Sequence, residues 1–190
     1  MPPFSFLQTM ANPILRTIVR TRFRLTSHEA VLKQTKNALH EYLQLANGLD
    51  EIKGSTAVTV PRMLGVDEDM RGWSFFMLLR HNTIVNQAIT ANISRLALGE
   101  PEPIQKFDVK KDVMPDEECG IEQIALFKAS VISHLDSLKM LGNLKGTRTT
   151  EHPLFGFFDA HMWNCMFAFH LKIHLKQAGL ILKAALPEAD

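Results

Sequence analysis

Four long stretches of this chain repeat their apolar residues at helical spacing, and each is bracketed by helix punctuation. The first spans residues 27–47, with Ser27 placed to cap it, Glu29 in its first turn and Gly48 as its stop. The second spans residues 73–98; Ser74, Met77, Leu78, His81, Val85 and Ala88 share one face, and Gly99, Pro101 and Pro103 end it. The third spans residues 116–141, where Pro115 precedes an acidic first turn, Asp116-Glu117-Glu118, and Gly142 follows. The fourth spans residues 159–178, with Asp159 as cap and Gly179 as stop. Strand signals are nearly absent, and only Thr56 to Val60 reads as extended. The connections at residues 48–72 and 99–115 are long, which suits a crossover in a helical domain. The expected fold is all-α, a single domain built on a four-helix bundle.

The chain has 190 residues, enough for one full core, with 46% apolar and 22% charged residues and a formal net charge of +1. Nothing in that balance favours nucleic acid or acidic lipid as a partner. Two cysteines, Cys119 and Cys165, form no CxxC and no disulfide framework, and both read as small core residues. No apolar run is long enough to span a membrane. The first residues lack an early basic region and a cleavage site, so the expected location is the cytoplasm. Residues 13–23 read as a short amphipathic helical extension with Ile14, Leu15, Ile18 and Val19 on one side, placed to pad the bundle or to join a homodimer contact, with a membrane-surface anchor as the lesser alternative because the segment is short.

Inside the fourth helix, His170 and His174 stand four residues apart, with Phe167, Met166 and Trp163 along the same stripe. That spacing puts both rings on one face, one turn apart. Two imidazoles on an apolar face need a partner, and a metal ion held by an i, i+4 pair is a common one. His81 on the inward stripe of the second helix is the third candidate, because facing helices of a bundle bring such side chains together. Three imidazoles suit zinc or nickel, with iron or manganese as further options, and leave a coordination position for water or substrate. His134, in the third helix, is a reserve ligand. His28 and His40 belong to the first helix, His152 precedes Pro153 in a loop, and His161 points away from the pair. Asn82 and Asn86 flank His81 and read chiefly as surface or capping residues. No GxSxG, phosphate loop or paired-carboxylate signature is present.

The segment His152-Pro-Leu-Phe-Gly156, then Trp163, then His170-x-x-x-His174 with Gln177, resembles the DinB-like family, as does Trp73-Ser74 followed by His81. The resemblance covers most of the chain after Ser27 and implies a four-helix bundle with an up-up-down-down course and a divalent metal held by His81, His170 and His174. Ile173 stands where this branch often has a further histidine, and Phe167, Ala168 and Phe169 stand where it often has a tyrosine. Relatives of this kind include thiol-dependent S-transferases and a mycothiol-dependent isomerase. The expected function is therefore a metal-dependent enzyme that joins a low-molecular-weight thiol to a small electrophilic substrate. A metal-dependent hydrolase and a non-catalytic stress or interaction protein are the alternatives.

Overall fold

A computed structural model describes residues 13–101 and 111–185. Its elements in chain order are α1 (Pro13–Leu25), α2 (His28–Leu45), α3 (Glu51–Ser55), α4 (Phe75–Leu98), α5 (Glu122–Leu141), a hairpin of β1 (Thr150–His152) and β2 (Gly156–Phe158), and α6 (Ala160–Ala184), with a single 3-10 turn at Glu68–Met70. The structure is mostly helical, as the periodicity requires. Ser27, Ser74 and Asp159 each accept a backbone N–H with the side chain: the expected caps at Ser27 and Asp159 form, and Ser74, expected only on the inward face of its helix, is a third.

Each of α2, α4, α5 and α6 packs against two of the others: α4 against α5 and α6, and α2 against α6 and α5. Side-chain pairs set their directions. Asn86 meets Ser130 and Thr90 meets His134, so α4 and α5 run parallel. His28 meets Asn164 and Tyr42 meets the Leu171 carbonyl, so α2 and α6 run parallel. His81 meets His170, while Asn92 and Trp163 share Thr150, so α4 opposes α6. The course is up-down-down-up, which corrects the expected up-up-down-down. The reason lies in the loops. Residues 46–74 stay at one end of the helices, whereas α5 begins beside the start of α4 rather than beside its end, although α4 with its 24 residues is about 36 Å long at 1.5 Å per residue.

Other expectations need smaller corrections. The third long helix begins at Glu122, not at residue 116, because the Glu51 and Glu122 carboxylates accept the backbone N–H groups of Ile121 and Gly120 and hold that stretch as a turn. The last helix runs through Gly179 to Ala184, since Ile181, fully buried, continues its core stripe. Residues 56–60 form no strand, yet Val58 and Val60 donate to the carbonyls of Trp73 and Arg71 and brace the start of α4. On α1 the buried residues are Val19 and Phe23, while Ile14 and Ile18 face outward. Phe23 sets that rotation by fitting between Phe158 and Phe169, with ring centroids 5.7 and 5.8 Å away. Asn82 and Asn86 are not surface residues: both are buried, donating to the Tyr42 hydroxyl and to Ser130.

Candidate metal centre

His81 lies in the second turn of α4, and His170 and His174 lie mid-way along α6. The structure brings all three together, with one potential ligand atom from each within 4.8 Å of the others. His81 Nε2 and His170 Nε2 are 3.2 Å apart. Nitrogen ligands of a tetrahedral ion, each at about 2.0–2.1 Å, stand roughly 3.3 Å from one another, so this spacing fits a shared ion. The His174 ring centroid lies 4.4 Å from that of His170 and 4.8 Å from that of His81.

Hydrogen bonds decide which nitrogen each ring can offer. His81 Nδ1 is 2.8 Å from the Val113 carbonyl, which can only accept, so Nδ1 carries the proton and the neutral ring keeps its lone pair on Nε2. Gln177 Nε2 donates to the Met70 carbonyl at 2.7 Å, so its Oε1 is the atom facing His174 Nδ1 at 2.8 Å. His174 therefore donates from Nδ1 and also keeps a lone pair on Nε2. Such outer partners fix tautomer and ring orientation in metal sites. His170 Nδ1 is buried with no partner among the described residues. Two Nε2 lone pairs and a third ring at this distance form a donor set that a divalent cation fits.

All three rings are held neutral. Burial takes His81 down to about 4. Burial takes His174 to about 3, with His81 adding to the effect. His170 is held well below its usual range by burial first, then by His174, His81 and His152. Neutral imidazole is the ligand form, so burial prepares the site at ordinary pH. No carboxylate appears among the groups acting on these rings, and α4 and α6 contain neither Asp nor Glu.

The walls come from loops. The Trp73 ring lies 5.0 Å from that of His81. Gly65, at φ 94°, lies so close to Ile173 that a Cβ there would stand 2.8 Å from it. Only a residue without a side chain lets the loop rest on Ile173 beside His174. His81 and His174 are buried, while His170 keeps part of its surface exposed.

The remaining histidines go elsewhere. His134, the reserve ligand, is not part of the group: it bridges Thr90 and Asn164 and stacks on Phe167 at 3.5 Å. His161 reaches the Phe23 and Thr26 carbonyls and clasps the end of α1. His152 accepts the Leu154 N–H and packs among Phe155, Phe158 and Trp163. His40 is exposed and His28 half-buried, away from the site. Both cysteines are buried and free, and burial pushes the Cys165 thiol up to about 12, which leaves it inert. Sequence reasoning missed the Val113 and Met70 carbonyls, since no periodicity foretells a loop carbonyl. Gln177 had a signal: three residues after His174, it shares that ring's helical face.

The chain matches no family model, no curated protein and no solved structure.

Proposed function

We propose that this chain is a DinB-like four-helix bundle that binds one divalent metal through His81, His170 and His174 and joins a small thiol to an electrophile. One observation carries the metal: three neutral imidazoles meet on the inner side of α4 and α6, two of them with Nε2 atoms 3.2 Å apart. The ring of contacts α2–α6–α4–α5 supports the bundle, and the HPLFG, Trp163 and HxxxH residues support the kinship.

The chemistry such an ion supplies when bound is to acidify a coordinated thiol. The protein's part is to hold and orient. Val113 and Gln177 commit the Nδ1 protons of His81 and His174, leaving Nε2 for the ligand role. The part-exposed His170 side is the route by which a thiol and its partner enter. The thiol proton leaves to solvent, its sulfur forms a bond to the electrophilic carbon, and the leaving group departs with the electron pair of the broken bond. A water nucleophile would need a nearby general base, and neither α4 nor α6 offers a carboxylate. That absence ranks thiol transfer above hydrolysis.

The test begins with elemental analysis of protein purified without a His-tag or nickel column; about one zinc or nickel per chain is expected. Protein loaded with zinc, nickel or manganese is then given common cellular thiols and a halogenated dinitrobenzene, beside ester and amide reporters. Metal-dependent thiol conjugation is the expected result. Turnover of esters or amides without conjugation would replace this reading with a hydrolase, and protein that takes up no metal would leave a non-catalytic bundle.

A further inference from the structure

Helix α1 carries Arg16, Arg20, Arg22 and Arg24 and no acidic residue. Its inward side is fixed by Val19 and Phe23 against α6 and the hairpin. At about 100° per residue, the side opposite them holds Ile14, Thr17, Ile18, Thr21 and Leu25. Ile14, Ile18 and Leu25 are 68%, 58% and 81% exposed.

The four arginines divide between two tasks. Arg20 is spent on the hairpin, donating to the Phe155 and Phe157 carbonyls and lying over the Phe158 ring. Arg16 sits beside it, near Gly156. Arg22 and Arg24 are exposed and flank the apolar stripe on its two edges. No ion pair among the described residues involves α1. The crowding is felt at Arg20, whose guanidinium is held below its usual range by burial first and then by Arg24 and Arg16. In sequence, α1 follows a stretch with Phe4, Phe6, Leu7 and Met10 and no charged residue.

We infer that α1 lies on an anionic phospholipid surface, with Ile14, Ile18 and Leu25 in the acyl boundary and Arg22 and Arg24 on the headgroups. An apolar stripe edged by cations is the arrangement an interfacial helix needs. The other occupants fit less well. A second copy of α1 would set arginine against arginine with no carboxylate between them. A nucleic acid would meet the arginines and leave the isoleucines in water. An anionic bilayer accepts both groups at once, and it draws basic residues near its surface.

The full chain is mixed with vesicles of phosphatidylcholine alone, or with about a third phosphatidylserine, and sedimented. Binding to the anionic vesicles that weakens at high salt is expected. R22E/R24E is expected to bind them about tenfold more weakly or worse, and I14S/I18S to lose binding while keeping the charge. All these side chains are exposed, so both variants keep the parent's circular dichroism and melting temperature. Equal binding to the two vesicle types, binding to neither, or undiminished binding by the variants would overturn the inference. So would capture of a single-stranded oligonucleotide through Arg22 and Arg24 without vesicle association.

Discussion

At the residue scale, the three-histidine centre depends on atoms outside its own rings. Gln177 reads two groups at once, accepting from His174 Nδ1 and donating to the Met70 carbonyl. Gln177→Leu keeps the three imidazoles but frees the His174 tautomer and ring, and metal affinity is expected to fall about 10–100-fold in competition with a chelating dye. His170→Ala removes a ligand outright, and its metal content after dialysis is expected to be near zero. Wild-type content in that variant would remove His170 from the ligand set. The buried rings also set a pH dependence. His81, His134 and His152 titrate near 6.5 when unfolded and near 4 when folded, so the unfolded chain binds more protons as acid is added. Their contribution to metal-free stability is therefore complete above about 6.5 and is lost as pH falls toward about 4. Urea midpoints at neutral and acid pH measure this; a midpoint constant across that window would contradict it.

At the element scale, two short helices are tied down by residues far away in sequence. Phe23 anchors α1 between Phe158 and Phe169, and His161 holds the end of that helix. Phe23→Ala is expected to cost about 3–5 kcal/mol and, by loosening α1, to speed trypsin cleavage at its arginines. Helix α3 meets α4 face on: a Cβ at Gly54 would stand 2.1 Å from the Phe76 ring. Gly54→Ala must therefore push the ring or the helix aside, at a cost of about 1–3 kcal/mol read from denaturant unfolding. These contacts also explain the sequence outcome here. The caps at Ser27 and Asp159 were legible because a cap is a local hydrogen bond between a side chain and a backbone N–H three residues on. The hairpin, α3 and the outward turn of Ile14 and Ile18 were not legible. Each is decided by what docks against it: Arg20 on the hairpin carbonyls, Phe76 on Gly54, Phe23 in its aromatic slot.

At the scale of the whole molecule, α4 and α6 carry the site, while residues 46–74 and the crossover close it through Trp73, Met70 and Val113. A ligand that binds only the folded chain stabilises it by mass action. Zinc or nickel at about a hundred times its dissociation constant should add about 2.7 kcal/mol, seen as a higher melting temperature. The increment should vanish in His170→Ala. Chelation should reverse it in the parent.

The sequence by itself determined that the chain is helical, where three of its four long helices begin, and that His170 and His174 share a face, because cap chemistry and the period of the helix are local. It also put His81 on an inward stripe. The tertiary structure alone decided that His81 faces that pair rather than His134, since only the antiparallel packing of α4 on α6 sets the level at which rings meet. It decided likewise the up-down-down-up course, which rests on where each loop crosses. The burial of Asn82 and Asn86 follows from the same packing, for polar residues enter a core only when a partner such as Tyr42 or Ser130 waits on another helix.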